Sequence, residues 1–169
     1  MAAVGVGLVS SRRETDAPGR GARVSEDMVS IAVETLGLVP PFDRLGREEL
    51  IGLGRVATIR YLAAGETLFA EGNDRLPRFF VVRRGSVELT RKVDGAARIV
   101  ERCEEGDVFG IRAHMVDAPY SATARALEDT LVYGIPFDAF RRLMDQQPEL
   151  ALHFAADRKS TRLNSSHYS

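Results

Sequence analysis

The feature that most constrains the fold is the pair Asp94-Gly95, because it lies between two segments that read as strands. Segment 86–90 before the pair alternates polar and apolar residues, and segment 97–102 follows it. Such alternation puts every second side chain on one face of a strand. Asp and Gly both tolerate the positive φ that a tight hairpin turn requires, so this is the strongest local hairpin signal in the chain. The chain is therefore predicted to contain an antiparallel sheet.

Other short segments of the same kind recur along the middle of the chain. Strands are predicted at 58–62, 67–70, 78–82, 122–127 and 131–135. Short strands about eight to twelve residues apart, with turn residues between them, are typical of an antiparallel sandwich or barrel. The predicted fold class is mainly β with flanking helices, arranged as an antiparallel jelly-roll-like β-barrel.

Helices are predicted on both sides of the strands. In segment 25–36, Ser25 is a plausible N-cap and the apolar residues recur at helical spacing: Met28, Ile31, Ala32 and Leu36. A second short helical region covers 42–53, weakened by Gly52 and Gly54. Pro136 is well placed in the first turn of a closing helix, which has this apolar face: Phe137, Phe140, Leu143 and Met144. A further segment begins at Pro148.

The two ends of the chain differ in composition from the middle. Residues 1–24 are rich in Gly, Ala, Arg and Ser without an apolar period, so they are predicted to be disordered and not native, with Met28 as an alternative start. Residues 157–169 resemble the in-frame translation of a common sequencing adapter and are expected to be an artefactual tail. The folded domain is expected at 25–156.

Charge and cysteine content exclude several classes of protein. A formal net charge of −1 provides no long-range field for nucleic acid or an anionic membrane. Cys103 is the single cysteine, which excludes an internal disulfide framework and a cysteine-built metal site. No apolar run approaches the ~20 residues of a membrane span. We therefore expect a cytoplasmic protein that contacts neither membrane nor nucleic acid directly.

Local motifs make the prediction more specific than the order of strands and helices does. The run 105–110 reads Glu-Gly-Asp-Val-Phe-Gly, and 118–123 reads Ala-Pro-Tyr-Ser-Ala-Thr. Pro41-Phe42, Gly85-Ser86 and the segment 135–140 flank these runs in order. From about Pro40 to Phe154 the chain resembles cyclic-nucleotide-binding domains, whose fold is a β-roll. In that family the two runs form the phosphate-binding cassette.

The resemblance implies where a ligand pocket would lie. The candidate residues are Phe109, Gly110, Ile111, Arg112, Ala113, Tyr120, Ser121, Ala122 and Thr123. A short helix beginning near Gly110 would point free backbone N–H groups at one spot, which suits a phosphate. Ser121 and Thr123 could donate hydroxyl groups, although small polar residues on strands are usually structural.

Two positions of this cassette depart from the family. A glutamate that accepts from the ribose 2′-hydroxyl is replaced by Ile111, and an arginine that pairs with the cyclic phosphate is replaced by Tyr120. The missing acceptor costs roughly 1–3 kcal/mol, and with the missing ion pair we expect cyclic-nucleotide binding to fall by ~100-fold or more. Neither Arg112, which faces another direction, nor Arg125, which opposes Ala122 and Ala124 in the alternation, is a demonstrable replacement.

The combined prediction is a non-catalytic regulatory domain with a degenerate pocket. Its candidate ligand is a small nucleotide other than cAMP or cGMP, and no cofactor is expected. The variant with a tyrosine at this place is similar to one branch of the family, in which the domain precedes paired cystathionine-β-synthase-type (CBS) domains and a nucleotidyltransferase module in bacterial proteins. This chain would then be a truncated regulatory N-terminus, whose candidate partners are its own downstream domains and a second copy in a homodimer.

Two alternatives remain open. One is a ligand-free interaction or dimerisation domain, in which Tyr120 and Ile111 fill the pocket. The other is the sensor half of a transcription regulator resembling the catabolite activator protein. An enzyme is disfavoured, since Glu48-Glu49 and Glu104-Glu105 are adjacent rather than convergent. His114 is interpreted as a packed or edge-exposed side chain and His153 as a packed or surface side chain, rather than as ligands.

Overall fold

The computed structural model of the protein describes residues 25–159. The predicted disordered segment 1–24 and residues 160–169 of the expected tail lie outside the described residues, while residues 157–159 continue the last helix. In chain order the elements are α1 (Glu26–Leu36), a 3₁₀ turn (Phe42–Arg44), α2 (Arg47–Val56), β1 (Thr58–Leu62), β2 (Thr67–Phe69), β3 (Arg78–Arg84), β4 (Val87–Val93), β5 (Ala96–Cys103), β6 (Val108–Phe109), α3 (Arg112–Met115), β7 (Thr123–Ala126), β8 (Thr130–Pro136), α4 (Phe137–Gln146) and α5 (Glu149–Lys159).

The predicted hairpin is confirmed. Val93 pairs with Ala96 across a two-residue turn, and Asp94 and Gly95 have φ values of 53° and 81°. The resulting pair of strands, β4 and β5, extends well beyond the turn, with Val87 opposite Cys103 at the far end.

The strands form two separate antiparallel sheets. One sheet has the order β1-β8-β3-β6 and the other has the order β2-β7-β4-β5. The predicted jelly-roll-like antiparallel fold with flanking helices is confirmed, but the barrel is not closed. Each sheet has one very short edge strand, β2 with three residues and β6 with two, and the two sheets are not hydrogen-bonded to each other.

Strand β3 lies between two apolar clusters. Phe79 and Val81 point toward the helices, where they pack in the first cluster, while Phe80 and Val82 point into the sandwich and pack in the second. Both faces of this strand are buried, because the helices cover one side of its sheet and the second sheet covers the other.

Helix α1 begins at the predicted cap, but its buried face is shifted by one residue. The Oγ atom of Ser25 accepts a hydrogen bond from the backbone N–H of Met28 at 3.2 Å. The buried residues are Val29, Ala32, Val33 and Leu36. Ile31, which we placed on the inner face, is 39% exposed. The buried residues follow the spacing i, i+3, i+4, i+7 from Val29, which gives a narrower and more regular apolar face than the set chosen from the sequence.

The other helices carry the residues that the sequence indicated. Gly54 was expected to weaken α2, yet an added Cβ there would lie 3.4 Å from Cγ1 of Val29. The small residue therefore allows α1 and α2 to approach each other. In α4, Phe140 and Met144 are buried while Phe137 and Leu143 pack at the edge of the first cluster, as predicted.

Candidate functional site

The candidate site begins where β6 ends, at a glycine that no other residue could replace without strain. Gly110 has a φ of +80°, and a Cβ there would lie 3.3 Å from Cε2 of Phe69 and 3.4 Å from Cδ2 of Phe80. The groups that Gly110 approaches are the two aromatic rings of the sandwich interior.

The helix that follows is a single turn, Arg112–Met115. Its N-cap is Ile111, whose side chain is 6% exposed and packs in the first cluster with the helices. Ala113 faces the other way and packs in the sandwich interior, whereas Arg112 is exposed. The side chains of this turn therefore point in different directions, and that of Ile111 packs against the helices.

Tyr120 occupies the interior of the sandwich. It is 4% exposed, and its ring stacks on Phe69 with 3.7 Å between ring centroids and 10° between planes. Its hydroxyl accepts a hydrogen bond from the backbone N–H of Leu76 at 3.0 Å. Burial raises the pKa of the Tyr120 hydroxyl, while the Leu76 N–H and the charge of Arg75 oppose that rise.

The backbone of Tyr120 is also held, by the loop that follows β2. The Tyr120 N–H donates to the carbonyl oxygen of Asn73 at 3.0 Å, and the Gly72 N–H donates to the Tyr120 carbonyl at 2.8 Å. Side chain and backbone together make three hydrogen bonds to this loop. The tyrosine thus fastens the loop to the cassette.

The last three predicted residues lie at the mouth of the sandwich. Ala122 is buried, and the Thr123 hydroxyl accepts from the backbone N–H of Glu71 at 2.9 Å. Ser121 is exposed, and its carbonyl oxygen accepts from Nε of Arg91 at 3.0 Å. The Thr123 hydroxyl therefore has a structural partner, and the Ser121 side chain lies at the surface.

Neither of the two arginines weighed from the sequence enters the interior. Arg125 is exposed on the outer face of β7, with its Nη2 atom 4.0 Å from Oε2 of Glu88. Arg112 is exposed on the helical turn. The alternation of polar and apolar residues placed Arg125 correctly.

An arginine that the sequence reasoning missed does reach the cassette. Arg91 follows Val87 and Leu89 in the alternation of β4, and both of those residues pack in the second cluster. The same parity puts Arg91 on the inner face, where it meets Ser121. The alternation of residues in β4 could have indicated this position, but only Arg112 and Arg125, which lie close to the cassette, were considered from the sequence.

His114 belongs to α3, and its side chain lies outside this interior, against the first residue of α4. Its ring stacks on Phe137 with 4.6 Å between centroids, beside an open cleft of about 670 Å³. Its Nε2 atom is shielded from solvent and has no hydrogen-bond partner among the described residues. Burial lowers the pKa of His114, and nearby backbone of Arg78 and Leu76 partly opposes this. The packed interpretation is confirmed for His114.

His153 is half-buried on α5, with its ring centroid 5.2 Å from that of Phe154 at a steep angle. This half-buried position agrees with the expectation of a packed or surface side chain. The carboxylate of Glu49 caps α2, since its Oε1 atom accepts a hydrogen bond from the Gly46 N–H at 2.9 Å.

Within residues 25–159 no cluster of His, Cys, Asp or Glu could hold a metal ion. In the same part of the chain no helix is long and apolar enough to cross a membrane.

Comparison with protein-family models matches more than half of the chain. A family model described as the cyclic nucleotide-binding domain matches residues 59–147. Among curated proteins, the cAMP-dependent protein kinase regulatory subunit of Mycosarcoma maydis is 31% identical over 88 residues, which is 52% of this chain and 17% of that protein. An uncharacterized ABC transporter ATP-binding protein of Mycobacterium tuberculosis is 30% identical over 119 residues, 69% of this chain and 36% of that protein. The chain thus spans a minor part of the length of these relatives.

Solved structures share the fold over most of the chain. The regulatory domain of Toxoplasma gondii PKA with cAMP has a TM-score of 0.70 at 21% identity, covering 78% of this chain and 51% of that one. The sensor domain of the transcriptional regulator DNR from Pseudomonas aeruginosa has a TM-score of 0.69 at 25% identity, covering 85% and 95%. The N-terminal domain of a transcriptional regulator from Streptomyces coelicolor A3(2) has a TM-score of 0.59 at 29% identity, covering 73% and 91%.

Proposed function

This chain belongs to the cyclic nucleotide-binding domain family, and we propose that it is a non-catalytic regulatory sensor whose pocket does not take cAMP or cGMP. The observation that carries the proposal is the position of Tyr120. It stands where the family resemblance calls for a phosphate-binding arginine, and its ring is buried against Phe69 at 3.7 Å.

A cyclic nucleotide could enter only if Tyr120 left the interior. That movement would break the stack on Phe69 and the hydrogen bond from Leu76. Ring stacking contributes about 0.5–1.5 kcal/mol and a net hydrogen bond about 1 kcal/mol, so displacement would oppose binding before any contact with the ligand forms. The tyrosine would also provide no positive charge for the phosphate in return.

Ile111 removes the second expected contact. Its side chain packs with the helices and cannot accept a hydrogen bond from a ribose hydroxyl. A nucleotide bound in the family's usual orientation would keep an unpaired sugar hydroxyl at this point, at a cost of roughly 1–3 kcal/mol.

Titration with cAMP and cGMP tests the proposal directly. Ligand at 100 times its dissociation constant stabilises a domain by about 2.7 kcal/mol, which a thermal-shift assay detects readily. We expect no shift with either cyclic nucleotide up to millimolar concentration. A shift at micromolar cAMP, confirmed by calorimetry, would overturn the proposal.

Restoring the family side chains provides the matched experiment. Tyr120→Arg should open the interior and supply the phosphate partner, whereas Tyr120→Phe keeps the ring and should remain inactive toward cAMP. Ile111→Glu is best added second, because it places a carboxylate among apolar side chains and will destabilise the domain. Continued absence of binding in a folded Tyr120→Arg, Ile111→Glu variant would favour the ligand-free interaction domain.

The larger protein that this domain serves is a separate part of the proposal. The sequence resemblance favours a cytoplasmic bacterial chain in which CBS domains and a nucleotidyltransferase module follow. The sensor half of a transcription regulator is the second candidate, favoured by a specific observation: the described fold matches 95% of the DNR sensor domain. The genomic sequence that encodes the full protein decides between them, since a helix-turn-helix segment after this domain would support the second.

A further inference from the structure

Two arginines lie directly opposite each other on neighbouring strands. Arg91 of β4 is the register partner of Arg98 of β5, and both side chains are exposed. Residues directly opposite in an antiparallel pair point to the same face of the sheet, with Cβ atoms about 4.5–5.5 Å apart. Two like charges so placed destabilise a sheet unless a counter-charge lies between them.

A bulge in β5 produces this pairing. The register shifts between Leu89, which is opposite Glu101, and Thr90, which is opposite Ile99. If the register of Leu89 continued without the shift, Ile99 would lie opposite Arg91. The bulge therefore turns Ile99 outward and brings Arg98 to the inner face. Bulges commonly re-aim a side chain in this way beside functional sites.

The arginines on the outer face of the same sheet are arranged differently. Arg125 and Arg102 are both register partners of Glu88, one on each neighbouring strand. The carboxylate thus separates the two positive charges, and its Oε2 atom lies 4.0 Å from Arg125. On the inner face no ion pair engages Arg91 or Arg98 within residues 25–159.

Arg91 and Arg98, the two arginines of the inner face, lie beside the cassette. Nε of Arg91 donates to the carbonyl of Ser121, the residue after the buried tyrosine, which leaves the outer N–H groups of the guanidinium for another acceptor. Glu71 reaches this end of β4, but its Oε1 atom accepts from the Lys92 backbone N–H at 3.0 Å. The Arg98 side chain makes no hydrogen bond among the described residues.

We propose that Arg91 and Arg98 form an anion subsite at the mouth of the sandwich, which binds the phosphate of a phosphomonoester. Two guanidinium groups match a phosphomonoester, which carries about −1.5 to −2 charges near pH 7, better than a cyclic phosphodiester with one. The subsite lies on the exposed rim, so a phosphate reaches it without displacing Tyr120. The inference deepens the proposed function, because it names the ligand class of the same sensor.

Calorimetric titration at low ionic strength with AMP, inorganic phosphate and adenosine tests this subsite. AMP should bind the wild-type domain and adenosine should not. Binding of inorganic phosphate alone, with no gain from the nucleoside, would show that free phosphate is the ligand. Added salt should weaken binding because the rim is exposed. If neither AMP nor phosphate binds, the inference is wrong.

The matched pair of variants is Arg98→Gln and Arg102→Gln, which remove the same charge from opposite faces of β5. Arg98→Gln should weaken AMP by about tenfold or more, and Arg102→Gln should leave it unchanged. Equal affinity of wild type and Arg98→Gln would overturn the subsite. Tight cAMP binding in the same titrations would instead overturn the closed pocket, so the two failures are distinguishable.

The protein without ligand provides a second readout. Arg98→Gln relieves the repulsion from Arg91 and should raise the Tm by about 1–3 °C, and high salt should reduce the gain. Arg102→Gln should give no gain, since Arg102 has Glu88 as its neighbour. A lower Tm for Arg98→Gln would show that Arg98 is a structural residue.

Discussion

The ring of Tyr120 lies almost parallel to the ring of Phe69, with 3.7 Å between centroids and 10° between planes. Around this pair the sandwich interior is closed by further aromatic rings, since Phe69 also lies within 6.3 Å of Phe80 and 6.2 Å of Phe109. Tyr120, at the position where the resemblance implied a phosphate-binding arginine, is therefore part of the apolar core in this chain.

Removing only the hydroxyl of Tyr120 should destabilise the domain modestly. Tyr120→Phe keeps the stack on Phe69 but leaves the partly buried N–H of Leu76 without its acceptor. We expect the free energy of unfolding to fall by about 1 kcal/mol. Urea denaturation measures it, with Tyr120→Leu as the comparison. Tyr120→Leu should lose more because the stack is lost as well, and the reverse order would contradict the assigned role of the ring.

Gly85 should be far less tolerant of substitution than Gly95, although both have positive φ. A Cβ at Gly85 would lie 2.5 Å from Oγ1 of Thr130 and 2.8 Å from the backbone oxygen of Asp129, whereas a Cβ at Gly95 meets nothing within 4 Å. Gly95→Ala should cost about 1–2 kcal/mol from the left-handed backbone alone. Gly85→Ala should cost about 1–3 kcal/mol more, because Thr130 is 1% exposed and cannot move aside.

Equilibrium unfolding of the two glycine variants under the same conditions provides the comparison. Similar losses of stability in both would mean that the turn before β4 has room to adjust. The Thr130 hydroxyl, which donates to the Ser86 carbonyl at 3.1 Å, would be the first contact to report such an adjustment.

His114 should make stability depend on pH in one direction. Burial lowers its pKa in the folded protein below the ordinary value of 6.5, an effect that Arg75 reinforces and Asp138 opposes. The unfolded chain therefore takes up the proton first as pH falls. The free energy of unfolding should therefore be unaffected by His114 above about pH 6.5, and it should decrease as pH falls from that value to the lower pKa of the folded state.

Substituting His114 with phenylalanine isolates this contribution. His114→Phe keeps an aromatic ring against Phe137 but cannot titrate. The difference in unfolding free energy between variant and wild type should grow in favour of the variant as pH falls from 7 toward 5. A constant difference over that range would show that His114 carries no such shift.

Arg78 should contribute to stability through hydrogen bonds rather than an ion pair. Its Nη1 atom donates to the carbonyl oxygens of Val56, at the end of α2, and Gly134, in β8, each at 3.2 Å. Burial lowers the pKa of this guanidinium. Arg78→Met should cost about 1.5–3 kcal/mol, since both carbonyls lose a charged donor.

Arg84→Met, at the exposed end of the same strand, is the control and should stay within about 0.5 kcal/mol of wild type. Thermal or chemical denaturation distinguishes the two variants. A loss of equal size in both would point to a general effect of charge.

The periodic parts of the sequence predicted the fold well because they are long enough to show a period. Strands β4 and β5 and their Asp94-Gly95 turn follow from alternation and turn chemistry. Strand β6 has two residues, Val108 and Phe109, and no period can be recognised over that length. The sequence pattern therefore predicted the jelly-roll-like fold, but it could not show that the strands divide into two separate sheets.

The candidate site was predicted by position rather than by role. The sequence identified Ile111 and Tyr120 as departures, but it could not show that one side chain packs with the helices and the other with the sandwich. That division depends on the left-handed turn at Gly110, which sets the direction of the following helix. The sequence could not predict the position of Arg98 for a different reason: a one-residue bulge in β5 determines which face of the sheet its side chain occupies.

The alternating burial of β3 has a consequence for how the domain tolerates change. Four consecutive residues of that strand, Phe79 to Val82, are buried and divide equally between the two clusters. The helical layer and the sandwich therefore share the backbone of β3, and we expect them to unfold together. Because loss of this strand exposes both clusters to water at once, substitutions far apart on its two sides lower the same free energy of unfolding.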